Sequence, residues 1–307
     1  MNNYILRRFF NKFQIFFLKE KIKDGLYIKN KNKNKNRKIL FYFNDYQIMH
    51  FGDILFFEPA IQELIKYGFE VEASLPDNAI KYAKFNNINF FDNVNFDKFD
   101  LIITKVEFIS FFNKSTNQIL FVDTTYNKII EPLCISLVNR INNFLKITNS
   151  RVIGKPSDFI IKNSNLDSLL KEGERYILFN NYVHSGKFRI FANQRKRLIN
   201  YAEELKKTGF KIIHIGTQKD KDNDKNDYEL VDLDLRGKTS LSDLFYLVSK
   251  NNVINSVSFD TMQMLIFNLN NKKSFVVSRQ RVLKSNMLFH KKYVHRCFNS
   301  DDLIIYI

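Results

Sequence analysis

The feature that most limits what this chain can become is an alternation that runs through it twice. A short apolar run is followed by a longer stretch of helical spacing, and then by another apolar run. KILFYF (38–43) leads to Asp53–Tyr67, whose apolar residues recur at helical spacing and which stops at Gly68. FEVEAS (69–74), a polar helical stretch near 77–86, DLIITK (100–105), QILFVD (118–123) and a helical segment over 127–147 follow. Runs this apolar suit strands covered on both faces, and strands separated by helices imply βαβ units with a mainly parallel sheet. Around 148–172 the chain turns polar, beginning TNSRVIGKPSD, and the alternation then restarts. RYILFN (175–180), a helix from Asn193 to Thr208 closed by Gly209, and FKIIHIG (210–216) come first. A helix over 240–250 capped by Ser240, NNVINSV (251–257), a helix over Asp260–Leu269 and KSFVV (273–277) complete it. The expected fold class is α/β, with two successive α/β domains over 38–155 and 156–307 and a separate segment over 1–37. A chain of 307 residues that is 45% hydrophobic is large enough for two cores.

The net charge of +16 raises the question of a polyanionic partner. Residues 1–38 hold twelve Lys/Arg against Glu20 and Asp24, which places +10 there and leaves +6 for everything after. A nucleic-acid-binding fold is expected to carry its basic stripe on the folded surface, so no nucleic-acid partner is expected. Residues 4–23, YILRRFFNKFQIFFLKEKIK, mix aromatic and aliphatic residues with recurring cations, and KNKNKNRK (31–38) follows as a solvated linker. No stretch there reaches the roughly 18–20 apolar residues of a membrane span, and no small-residue cleavage site marks a secretory signal. The segment reads as a basic amphipathic helix. Its apolar face suits either an anionic membrane surface or the protein's own body.

Several motif readings fail. No G-x-G-x-x-G, P-loop or G-x-S-x-G elbow is present. Cys134 and Cys297 fit no C-x-x-C pattern, which suits a reducing cytoplasm, and His290, His295 and Cys297 match no zinc spacing. DKDNDKND (220–227) resembles the start of a calcium loop, but Lys225 stands where the turn needs Gly and Val231 where the bidentate Glu belongs. It reads as a solvated acidic–basic loop. Asp232 and Asp234 of the DLD triplet read as a strand edge rather than as metal ligands, and no metal is expected.

HFGDILFFEPAIQEL (50–64) places Gly-Asp just before an apolar helical run. Asp53 there can be a helix N-cap, or a reactive group on the strand-to-helix turn where open α/β sheets keep their chemistry. Two later segments bear on the choice: FNNYVHSGKFRIFANQRKRLINYAEELKKTGFKIIHIGT (179–217) and DLRGKTSLSDLFYLVSKNNVINSVSFDTMQMLIFNL (234–269). In this order the three resemble glycosyltransferase family 9, the heptosyltransferase-like enzymes of bacterial surface-polysaccharide assembly, over about residues 38–280. The Gly-Asp…Pro-Ala and Gly-Lys-Thr-Ser-Leu pieces are the most specific parts.

The resemblance implies a GT-B fold, two Rossmann-like domains facing across a cleft, with acceptor binding in the first and nucleotide-sugar binding in the second. It implies an inverting, metal-independent transfer of heptose or a related sugar from a nucleotide-sugar, with an ADP-sugar favoured, to a lipooligosaccharide or capsule acceptor. No cofactor is implied beyond that donor. By position Asp53 matches the general base, and Lys187 the lysine facing donor phosphates or acceptor. Asp260 and Thr261 match the helix-start pair beside the donor pyrophosphate, Met262 follows them, and Thr239 falls near the nucleotide-contact segment. Met262 stands at the family's glycine and Leu265 at its histidine, while Phe188 and Arg189 replace a Trp-Pro pair. His184, Arg189 and Asp220 are candidates to supply the missing polar contacts. These departures define the alternative expectation, a catalytically degenerate GT-B scaffold or binding protein. With residues 1–37 as its membrane contact, the chain is expected in the cytoplasm, attached peripherally to the inner face of the cytoplasmic membrane.

Overall fold

In the computed structural model the chain divides into two compact units, Met1–Ser157 and Asp158–Ile307. The structure describes residues 21–30, 38–44, 51–75, 89–91, 94–112, 115–124, 133–147, 164–182, 191–223, 229–277 and 303–307. The expected tail helix over 4–23 lies outside them except for its last residues, and the polar helix near 77–86 lies outside them entirely.

The first unit is built on strands β1 (Leu26–Lys29), β2 (Lys38–Tyr42), β3 (Glu70–Ser74), β4 (Asn89–Phe91), β5 (Leu101–Lys105) and β6 (Gln118–Val122). They lie in the order β1-β6-β5-β2-β3-β4. Every pairing is parallel except β1 with β6, which runs antiparallel with Leu26 opposite Val122. The first parallel strand, β2, thus sits centrally; the chain moves outward on one side to β3 and β4, then returns to its other side as β5 and β6. Because crossovers keep one hand, the connections leaving β2 and β5 go to opposite faces. The side chains show the split. Phe41 and Phe43 turn toward helix α1 (Phe51–Lys66), with ring centroids 6.4 and 4.8 Å from that of Phe57. Tyr42, between them in a strand of period two, meets Phe108 at 5.7 Å and Phe112 at 5.3 Å in the 3-10 segment Val106–Phe112. Phe41, Phe43, Phe57, Phe108 and Phe112 are all buried, each contributing about 1.5–3 kcal/mol by leaving water. α1 ends as the sequence predicts: Gly68 takes φ 79 and Phe69 N–H donates to Leu64 O at 3.1 Å, a left-handed stop that glycine accepts without strain. α1 packs on helix α2 (Leu133–Leu145).

Strand β1 was not expected, since the segment through residue 37 reads as tail and linker. It enters through a tight turn, Lys23–Leu26, in which Asp24 and Gly25 both have positive φ (49 and 73). That is the Asp-Gly turn favoured between antiparallel strands. Gly25 O accepts from Asp123 N–H at 2.8 Å and from the buried guanidinium of Arg140 at 3.3 Å, and Asp123 O accepts from Arg140 at 2.9 Å. At the other end Asn30 donates to Ser115 O and Asn117 O at 2.7 and 3.0 Å. The Lys29 ammonium donates to Phe112 O, and burial lowers its pKa. A strand so short is held by its ends.

The second unit carries β7 (Tyr176–Asn180), β8 (Lys211–His214), β9 (Leu233–Asp234), β10 (Val253–Phe259), β11 (Lys273–Val277) and β12 (Ile304–Tyr306). Their order is β12-β11-β10-β7-β8-β9, parallel throughout. This is the doubly wound arrangement, with β7 and β10 as the central neighbours from which the chain departs in opposite directions. Helix α3 (Ser164–Asp167) precedes the sheet, and α4 (Ala192–Lys207) follows β7. Ile177, Phe179, Ile212, Val257 and Phe259 form one core with Leu198 and Ala202 of α4. Helices α5 (Gln218–Asn223), α6 (Leu241–Ser249) and α7 (Met262–Leu269) complete the unit. Ser240 caps α6 as expected: its hydroxyl accepts from Asp243 N–H at 3.2 Å while the Asp243 carboxylate accepts from Ser240 N–H at 2.7 Å. Lys272 ties the end of α6 to β10, its ammonium donating to Val248 O, Lys250 O and Val253 O at 2.5–2.6 Å.

Two expectations change. Asp53 lies within α1, Phe51–Lys66, rather than at its cap. The stretch after Gly216 is not a solvated loop throughout. Residues 218–223 form α5, and Asp220 is buried there as half of a capping box, its carboxylate accepting from Thr217 N–H at 2.6 Å while Thr217 Oγ1 accepts from Asp220 N–H at 3.2 Å. Satisfying the orphan donors of a helix start outweighs the polarity of the local sequence.

Candidate functional site

In open α/β sheets a ligand sits beyond the carboxyl ends of the strands, where neighbouring strands send their chains to opposite faces. Each unit has one such point. In the first it lies between β2 and β5, where Thr104 Oγ1 donates to Tyr42 O at 2.6 Å. β5 ends in Lys105, which is buried, and Glu107 follows with a carboxylate oxygen 3.8 Å from the ammonium. The next described element after β2 is α1, Phe51–Lys66, which carries the backbone of Gly52 and Asp53. The Asp53 side chain lies outside the described residues.

In the second unit the point lies between β7 and β10. β7 runs out through Asn180 and Asn181. Asn180 Nδ2 donates to Ile215 O at 3.2 Å and its Oδ1 accepts from Tyr182 N–H at 2.9 Å. Buried Asn181 Oδ1 lies 3.1 Å from His214 Nε2 at the end of β8. β10 runs out through Asp260, which is 2% exposed, and Thr261 is the N-cap of α7. An N-cap threonine ordinarily accepts from its own helix. Here it makes no such bond, and its buried Oγ1 has no hydrogen-bond partner. The first amides of α7 and this hydroxyl together form a donor-rich end suited to an anion. Gln263 anchors the turn by donating from Nε2 to Leu178 O at 3.0 Å.

Met262 is the first residue of α7 and has no positive φ, so the backbone there does not need glycine. Leu265 is 6% exposed, part of the apolar interior of α7. Thr239 is half-buried on the loop from β9 to α6, its hydroxyl 3.4 Å from Leu235 O. The sheet order puts β9 three strand spacings from β10, and Thr239 lies on the connection that leads from one to the other. Lys187, His184 and Arg189 lie outside the described residues.

Between those ends the charges are compensated. The guanidinium of Arg236, 3% exposed, grips Asp234 through Nε to Oδ1 at 3.0 Å and Nη2 to Oδ2 at 2.9 Å, with Lys221 3.8 Å from the same carboxylate. Burial pushes the Asp234 carboxyl up, but the hydrogen bonds and charge of Arg236 more than offset this and hold it at about 2, below its ordinary 3.8. A carboxyl with a lowered folded-state pKa stabilises fully above its unfolded value and loses that stabilisation as the pH falls toward the folded one. Between pH 4 and 2 the melting temperature should therefore fall more steeply for the native chain than for Asp234→Asn; equal slopes in thermal scans would show that the pair carries no linkage. Gly237 makes this corner possible: φ is 71, and a Cβ there would meet Gln218 Oε1 at 2.2 Å and Gln218 Cα at 3.0 Å.

Asn180, Asn181, His214, Gln263, Lys105 and Glu107 were not singled out from the sequence. Each stands at or just past a strand's carboxyl end, which is the one signal that could have found them.

No family model matches the sequence, and no curated protein matches it. Its fold is shared with solved structures. The glycosyl transferase family 9 structure from Veillonella parvula superposes with a TM-score of 0.61 at 15% identity, covering 91% of this chain and 88% of that one. The E. coli ADP-heptose lps heptosyltransferase II gives 0.53 at 11% identity over 78% of this chain and 84% of that one. The E. coli heptosyltransferase WaaC, solved with ADP, gives 0.53 at 11% identity over 88% and 92%. The fold class expected from the sequence, α/β with two Rossmann-like domains, is the one observed.

Proposed function

We propose that the chain is an inverting, metal-independent glycosyltransferase that moves heptose or a related sugar from a nucleotide-sugar to a lipooligosaccharide or capsule acceptor. The observation that carries this reading is the start of α7, a helix N-terminus at the second unit's strand-reversal point with a buried, unpartnered threonine hydroxyl. The fold shared with heptosyltransferases, one of them solved with ADP, favours an ADP-sugar as donor. In this mechanism the donor pyrophosphate lies against the α7 amides and Thr261, with Lys187 adding positive charge. The Asp53 carboxylate takes the acceptor hydroxyl proton as the oxygen bonds to the anomeric carbon. The bond from that carbon to the phosphate oxygen breaks, and the nucleoside diphosphate leaves with the electron pair. One displacement from the opposite face inverts the anomeric centre.

Charge at the leaving group is met by helix amides and a lysine, so the step calls for no metal. In this reading Asp260 joins Thr261 beside the donor pyrophosphate, and Thr239 serves its nucleotide end. A screen of ADP-, GDP- and UDP-sugars, read by mass spectrometry as released nucleoside diphosphate, is expected to show turnover with an ADP-sugar. Saturable binding with no release from any donor would favour the second reading, a catalytically inactive GT-B scaffold, to which the buried Leu265 at the family's histidine position lends support.

We also propose that residues 1–37 hold the chain on the inner face of the cytoplasmic membrane. Lys23, Asp24 and Gly25 turn at the carboxyl edge of the first sheet, beside Asp123, so the basic segment joins the fold at the edge that would bind acceptor. Among the described residues no helix is long and apolar enough to cross a membrane. Co-sedimentation should be strong with vesicles containing phosphatidylglycerol, weak with phosphatidylcholine alone, and lost when Phe9, Phe10, Phe16 and Phe17 become serine. Indifference to both changes would mean that the segment does not bind lipid.

A further inference from the structure

The exit of β7 carries a cation that the chemistry proposed above does not use. β7 and β8 are parallel and α4 connects them, so α4 begins at the carboxyl edge of the second sheet. Arg195 lies in its first turn, after the N-cap Phe191. Helix side chains lean toward the N-terminus, and this one reaches back until its guanidinium stands over the ring of Tyr182, 5.9 Å from the centroid. Tyr182 follows Asn180 and Asn181 at the end of β7. Arg195 is half-buried, and no carboxylate pairs with it among the described residues. Only its Nε is enclosed without a hydrogen-bond partner, which leaves the two terminal nitrogens as the edge that can meet a ligand. Lys196 and Arg197 follow, both exposed, and the first turn of α4 holds no acidic residue. Cations at a helix start oppose the macrodipole, so a helix that merely covered the sheet would gain by carrying acids there. An anion from outside offsets that cost. The planar guanidinium fork matches two oxygens of a phosphate, and an aromatic face beneath it steadies the fork. β10, which leads to Thr261 and α7, is hydrogen-bonded to β7. Arg195 and the α7 start therefore meet one strand-reversal point from opposite faces of the sheet.

We infer that Arg195, steadied on Tyr182, grips a phosphate of the ligand held at the start of α7. That the phosphate belongs to a nucleotide-sugar rests on the proposed transferase reading; that Arg195 holds an anion there does not.

The test is calorimetric titration of the full chain with ADP and with inorganic pyrophosphate, at one fixed ionic strength. ADP affinity should fall at least tenfold in Arg195→Gln. It should fall at least threefold in Arg195→Lys, because an ammonium keeps the charge and loses the fork. Arg197→Gln removes an exposed charge from the same helix and should bind within twofold of the native chain. Thermal melting shows whether each variant folds, and Arg195→Lys carries the test if Arg195→Gln does not. Native affinity in the Arg195 variants overturns the grip. So does an equal loss in Arg197→Gln, since a diffuse positive field would then account for the binding. Pyrophosphate binding that depends on Arg195, in a chain that binds no ADP, would sink the transferase reading and leave the grip standing. Binding of neither ligand would remove both.

Discussion

Asp53→Ala is expected to lower sugar transfer by about 10²–10⁴-fold, the usual contribution of a positioned general base, with donor affinity unchanged. The expectation follows from where the residue stands. β2 is the central strand whose chain leaves for one face of the first sheet while β5 leaves for the other, and Asp53 lies on α1, the next described element after β2. The carboxyl edge is where open α/β sheets keep their chemistry. A carboxylate at that edge can take a proton from an acceptor alcohol. Asp53→Asn keeps the shape and removes the base, so it should lose turnover like the alanine variant. Initial rates at saturating donor, with melting temperatures to show that each variant folds, make the measurement. Transfer by Asp53→Asn at the native rate would remove this residue from the mechanism.

Phe179→Ala should destabilise the second unit by about 3–5 kcal/mol, the range for deleting a buried aromatic side chain. Phe179 is fully buried on the central strand of the second sheet, in one core with Ile177, Leu198, Ala202 and Ile212, and its ring lies 5.0 Å from that of His214. Alanine would leave a cavity between sheet and α4 that a parallel sheet, fixed by backbone pairing on both sides of β7, cannot collapse to fill. For a unit of this size each kcal/mol lowers the midpoint by roughly 2–4 °C, so a fall of about 6–20 °C is expected. Because the chain divides into two compact units, calorimetry should show the lowered transition as the second unit's and leave the first unit's in place. A uniform shift of all unfolding would contradict that division.

Most of the frame was legible because it depends on periodicity. KILFYF, DLIITK, QILFVD, RYILFN and KSFVV are covered on both faces, so each stands out as an apolar run, and each coincides with a strand. β1, β4 and β12 escaped notice because they are short edge strands whose pairing is set by the neighbouring strand rather than by their own composition. α5 carried a readable sign, the Thr-x-x-Asp of its capping box, hidden inside a run that composition assigns to solvent. The candidate site was harder. Thr261 stood out only through its resemblance to a family motif; that its hydroxyl is buried without a partner is a fact of packing. Lys105 and Glu107, two positions apart at a strand end, match no motif, since what relates them is the break in sheet geometry at β5. The departures at Met262 and Leu265 make local sense: a helical backbone at one and a buried apolar position at the other need neither glycine nor histidine.

The central claim is that the second unit binds a nucleoside diphosphate at the start of α7. Titration calorimetry of the full chain with ADP, GDP and UDP tests it most directly. The account predicts saturable binding, tightest for ADP, at least fivefold weaker in Thr261→Val and unchanged in Asp53→Ala. Heats of dilution alone for all three nucleotides, or full affinity in Thr261→Val, would contradict it.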